Sequence, residues 1–185
     1  MTSTALLLKA LKALKAEVSS AIPNRVEEGY GLNSNIVRKL AKEGTDLIIT
    51  VDNGVKAYSS IELANELEID VILTDHHVLE GKPPSALAFI HPSTTPENSP
   101  YRNLAGVGLA YVIATSLAKE YKIKTIIKDS LDLFCLGTIA DMAQLNGSNR
   151  YLLIKGLKTM HQTSCLGLKE LYNLAGLKDQ EINAE

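Results

Sequence analysis

The chain has 185 residues, a formal net charge of −2 and 45% hydrophobic residues, which allows one domain with a sizeable core. With a pI near 6.1 there is no global positive field to draw it onto nucleic acid, so any such contact must be local. No apolar run approaches the roughly 18–20 residues of a membrane helix, and its two cysteines, Cys135 and Cys165, have neither zinc spacing nor disulfide-scaffold density; a soluble, cytoplasmic protein with reduced thiols is expected.

At the N-terminus, Lys9, Lys12 and Lys15 interrupt the apolar positions and exclude a secretory signal. The spacing predicts an amphipathic helix from a Thr2 or Ser3 cap to about Glu17, with Leu7, Leu11 and Leu14 inward. Residues 18–22 read as a short strand, and residues 23–32 as a loop punctuated by Pro23, Gly29 and Gly31. Asn33 or Ser34 opens the next helix, which Gly44 closes. A strand at 46–51, a helix at 56–68, a strand at 70–74 and, after the Gly81-Lys82-Pro83-Pro84 turn, a strand at 86–90 follow. Strand–helix alternation at these lengths gives an α/β fold, a parallel sheet with helices on both faces. Residues 91–103 form an irregular loop, and helices are predicted at about 105–120, 128–142, 149–161 and 167–175. The expected organisation is an α/β core over 1–104, a helical part of the same domain over 105–178, and a tail or linker over 179–185.

Two apolar strands of this pattern end in residues that bind metals or move protons. Leu47 to Val51 run into Asp52-Asn53-Gly54, and Val71-Ile72-Leu73-Thr74 run into Asp75-His76-His77. Ligands of open α/β sheets sit at such strand ends. Neighbouring strands lie about 4.8 Å apart, so the two tips can share one ion. Carboxylates with imidazoles suit Mn²⁺, Mg²⁺ or a similar dication better than a thiolate site would. Asp52 alone would also serve as a turn residue before Asn-Gly, whereas a His-His pair after an apolar strand has little use in a plain turn. Asp141 closes a largely apolar helix, where a carboxylate opposes the macrodipole and a cation would relieve it; a solvated helix end is the alternative. Gly106 and Gly108, at the start of a helix, could offer amides to a phosphate or serve close packing. Arg25 could be a forked phosphate donor or a solvated surface residue.

Taken together and in order, Pro23-Asn24-Arg25, Glu28-Gly29-Tyr30-Gly31, Val51-Asp52-Asn53-Gly54, Thr74-Asp75-His76-His77, Leu104-Ala105-Gly106-Val107-Gly108 and Gly137-Thr138-Ile139-Ala140-Asp141 resemble the motifs of the DHH phosphoesterase superfamily, in its RecJ-like branch of single-stranded-DNA-specific exonucleases. The resemblance runs from Thr2 to about residue 175. It implies two-metal hydrolysis of phosphodiester bonds, with Mn²⁺ or Mg²⁺ as cofactor and single-stranded DNA, degraded from the 5′ end, as partner. Asp52 would bridge two ions, His76 and Asp141 would complete the second ion's shell, His77 would face the scissile phosphate, and Asp75 would orient a histidine. The branch also carries a D-x-D-x-D-G motif, a DHHA1 domain and an oligonucleotide-binding fold, none of which occurs in this sequence. A fragment with little or no nuclease activity of its own is therefore expected. Rival expectations are a phosphodiesterase of short oligonucleotides or cyclic dinucleotides and a non-catalytic binding scaffold.

Overall fold

Short runs of Leu, Ile and Val form three strands, β1 (Leu47–Ile49), β2 (Asp70–Thr74) and β3 (Ala88–Ile90), paired in parallel in the order β1-β2-β3. The structure, a computed structural model, describes residues 1–24, 29–123 and 125–177, those at 125 and 127–129 by their backbone alone. Ile49 stands opposite Ile72, and Thr74 opposite Ile90. The ladder runs on past β1, with Thr50 N donating to Ile72 O at 3.0 Å and Asp52 N to Thr74 O at 3.1 Å. The strand tips are thus hydrogen-bonded up to the residues of interest.

The described residues of the chain cluster into two units, 19–97 and a second made of 1–18 with 98–185. The first unit holds the sheet with α2 (Ser34–Lys42) and α3 (Tyr58–Glu66). Asn33 caps α2 by accepting from Ile36 N at 3.0 Å, as its side chain suits, and Gly44 follows the helix at φ 74°. Its core is Val37, Ile48, Val55, Ile61, Ala64, Ile69, Val71 and Leu73. In that core α2 packs on α3, and α3 on β2.

The second unit is helical: α1 (Thr2–Ala13), α4 (Gly106–Glu120), α5 (Thr125–Ala140), α6 (Gly147–Met160) and α7 (Leu166–Leu174). Here α1 packs on α4 and α5, and α5 on α6. The N-terminal helix therefore groups with the C-terminal helices rather than with its sequence neighbours. It is shorter than the periodicity predicts and is buried through Ser3, Leu6, Leu7 and Ala10. Leu11 and Leu14 are only partly covered, because the helix stops at Ala13 and Lys15 turns to φ 62°. Residues 18–22 form no strand and are mostly exposed. A β-forming sequence is not a strand without a neighbour to pair with. Among the described residues no helix is long and apolar enough to cross a membrane.

Candidate metal centre

Two buried threonines lock the first two strand tips together. Thr74 Oγ1 donates to Thr50 O at 2.6 Å, and Thr74 N donates to Thr50 Oγ1 at 3.1 Å. Beyond them Asp52 adopts a left-handed φ of 64°, a region Asp and Asn enter more readily than other non-glycine residues. Asn53 braces the turn: its Nδ2 donates to Val51 O, and its Oδ1 accepts from Leu32 N. Gly54 follows at φ +123°, and a Cβ there would lie 3.0 Å from both Leu73 Cγ and Thr50 Oγ1. Only glycine satisfies both demands.

Asp75, 1% exposed, ties this turn to the tip of β2. Its Oδ2 accepts from Val55 N at 3.0 Å. Its Oδ1 accepts from His76 N at 2.8 Å, from His77 N at 3.2 Å and from the His77 ring Nδ1 at 2.7 Å. Burial alone would raise its pKa; the bonds from Val55 N, the His77 ring and the His77 amide, with attraction to His77, outweigh that and hold it below the ordinary 3.8. An ionised carboxylate that takes four such bonds is an anchor for the turn and for His77. Its ring bond places the neutral His77 proton on Nδ1 and leaves Nε2 as the outward donor atom.

The consequence is convergence. Asp52, His76 and His77 each present a ligand atom, all within 4.8 Å of one another. Asp52 Oδ1 is buried, accepts no hydrogen bond and lies 2.9 Å from His76 Nε2. Adjacent ligands on an octahedral ion with bonds of ~2.1 Å are about 3 Å apart, so this spacing fits a shared dication, and the nitrogen–oxygen donor set agrees. The two histidine rings lie side by side, with centroids 4.7 Å apart.

Two residues to which the sequence assigned no role, Tyr30 within a family-like motif and His91 outside any, also belong to this site. Tyr30 donates its phenol to Asp52 O at 2.7 Å and sets its ring edge-on to His77 at 6.4 Å. His91, just past β3, contacts the His77 carbonyl through Nε2 at 2.8 Å. The usable signal for His91 was its place, a polar residue ending an apolar strand, as at Asp52 and Asp75.

The remaining predicted residues either belong to the helical unit or fall outside the described residues. Arg25 is outside the described residues. Asp141 is exposed in the turn one residue past α5. Gly106 is the first residue of α4 after the extended Ala105. The Gly108 amide already donates to Ala105 O at 2.8 Å, and a Cβ on Gly108 would meet Leu104 Cδ2 at 2.8 Å; in its own unit Gly108 serves close packing. Asp141, Gly106 and Gly108 all belong to the helical unit.

The family model for the DHH family, N-terminal domain, matches residues 1–138. A single-stranded-DNA-specific exonuclease RecJ of Bacillus subtilis is 40% identical over the whole chain, which spans 23% of that relative. The enzyme of the same name from Escherichia coli is 35% identical over 99% of this chain and 34% of its own length. The chain thus spans about a quarter to a third of these relatives. A crystal structure of exonuclease RecJ bound to manganese superposes with a TM-score of 0.88 at 34% identity, covering 99% of this chain and 46% of that one. RecJ from Thermus thermophilus in complex with Mn²⁺ gives a TM-score of 0.80 at 32% identity, over 95% of this chain and 25% of that one.

Proposed function

Because the chain belongs to the DHH family, we propose that it supplies the metal-holding portion of a Mn²⁺- or Mg²⁺-dependent phosphodiesterase that removes nucleotides from the 5′ end of single-stranded DNA. The observation that carries this reading is the convergence of Asp52, His76 and His77 on a turn anchored by Asp75. Support comes from relatives named as single-stranded-DNA exonucleases and from similar structures holding manganese or magnesium. A cytoplasmic location fits such a substrate.

Asp52 and His76 are the proposed ligands. A dication held there supplies Lewis acidity toward phosphoryl oxygens and attacking water. His77, its Nδ1 fixed by Asp75, turns Nε2 toward the anionic substrate as a ligand or, when protonated, as a hydrogen-bond donor. Asp75 moves no proton itself; it holds His77 and the Asp52 turn in one frame. A ligand role for Asp141 rests on the motif at residues 137–141 alone, and a phosphate role for Arg25 and Gly106 on sequence alone.

The 185 residues by themselves are expected to bind Mn²⁺ yet release little or no nucleotide from 5′-labelled single strands, since a two-metal clamp needs more carboxylates than this cluster offers. Transplanted in place of the matching segment of the Bacillus subtilis relative, the chain should sustain stepwise release, and Asp52→Asn should abolish it. A folded chimera that binds Mn²⁺ but cleaves cyclic dinucleotides and spares single strands would instead favour the other phosphodiesterase class. Failure to bind Mn²⁺ would leave a non-catalytic scaffold.

A further inference from the structure

We propose that His91 is a positioning residue that sets His77 through the backbone at the tip of β2; this rests on the metal-centre reading above. His91 follows Ile90, the residue of β3 opposite Thr74, so it occupies the third strand tip beside the Asp75-His76-His77 turn. Its ring is buried, 6% exposed, and stacks on Phe89 with centroids 5.2 Å apart and planes 10° from parallel.

Both ring nitrogens have assigned tasks. Nδ1 accepts from Ser93 N at 3.0 Å and lies 2.7 Å from Ser93 Oγ, capping the 3₁₀ turn Pro92–Thr94. Nε2 lies 2.8 Å from His77 O. A carbonyl only accepts, so the proton sits on Nε2. His77 is therefore held at three points. Asp75 takes its amide and its ring, both from within the same turn, and His91 takes its carbonyl from a separate strand tip. The next residue, Val78, is 77% exposed, and the His91 bond fixes the peptide that joins it to His77.

Two substitutions separate this role from a merely structural one. His91→Asn keeps an acceptor where Nδ1 stood and preserves the cap, but it falls short of His77. His91→Gln reaches His77 with its amide and loses the cap. If positioning is the role, His91→Asn should weaken Mn²⁺ binding about tenfold while His91→Gln stays within about threefold, the scale of second-layer effects at metal sites. In the metal-free protein, nitrogen-15 spectra should show one sharp set of His77 ring signals in the wild type and in His91→Gln, and shifted or broadened ones in His91→Asn. Unchanged His77 signals in His91→Asn, or a larger loss in His91→Gln, would overturn the inference. So would a wild-type His91 ring protonated on Nδ1, a measurement that needs no variant to fold. Because the spectra need no metal, a wild-type chain that fails to bind Mn²⁺ would sink the metal-centre reading separately.

Discussion

Asp75 stands first in the Asp-His-His triplet and has the least freedom to touch a ligand. Its two oxygens accept four hydrogen bonds from Val55, His76 and His77, so its contribution is to stability and geometry. Asp75→Asn would turn an amide N–H₂ toward one of these donors and is expected to cost about 2–3 kcal/mol in denaturant unfolding at neutral pH, the scale of a buried charged hydrogen-bond group left mismatched. The pH dependence follows from the direction of its shift. Its folded pKa lies below the ordinary 3.8, so its stabilisation is fully present above that value and is lost as pH falls through the lower folded one. The stability gap between wild type and Asp75→Asn should therefore be widest near neutrality and shrink in acid; a gap that widens in acid would refute the assignment. Gly54 is the steric counterpart. Its φ of +123° and the 3.0 Å approaches to Leu73 and Thr50 leave no room for a methyl group, and Gly54→Ala should destabilise the metal-free fold by ~2 kcal/mol or more.

Among elements, those carrying local signals were legible in the sequence. β2 occupies 70–74 as the apolar run predicts, α2 opens at its Asn33 cap, and the helices of the second half lie within a few residues of their periodic segments. What the sequence withheld was pairing and distance. Residues 18–22 look like a strand but pair with no strand among the described residues. Tyr30 and His91 reach the centre from 22 and 14 residues away in sequence from the residues they bind, contacts that no local pattern encodes. The match between α5 and α6 was hidden for the same reason. A Cβ on Gly156 would run into Cys135 Sγ and come within 2.9 Å of Leu131 Cγ. Alanine's helix propensity would gain ~1 kcal/mol, but overpacking costs about 1–3 kcal/mol. Gly156→Ala should therefore lower the unfolding midpoint, and adding Cys135→Ala should recover part of the loss. The same packing shields the thiol. Burial, with Asp132 nearby, pushes Cys135 up to about 12, whereas Cys165 is only partly covered. Iodoacetamide at mildly alkaline pH should label Cys165 first and Cys135 only on unfolding.

For the whole molecule, the net charge of −2 gives dications only weak non-specific attraction, so a specific site should stand out in stability measurements. An ion that binds the folded chain and not the unfolded one adds about 2.7 kcal/mol at a hundred times its dissociation constant. Mn²⁺ should accordingly raise the unfolding midpoint of the wild-type chain in a concentration-dependent way. Asp52→Asn is the discriminating variant, because Asn tolerates the left-handed φ at that position while losing the charge that would hold the ion. It should fold and show almost none of the Mn²⁺ shift, and His76→Ala should behave likewise. Cys135→Ala, in the other unit, should keep the shift in full even though its baseline stability changes. Equal Mn²⁺ shifts in wild type, Asp52→Asn and His76→Ala would place the ion elsewhere. The 2.9 Å approach of Asp52 to His76 would then be an ion pair of the fold rather than the two sides of a coordination shell.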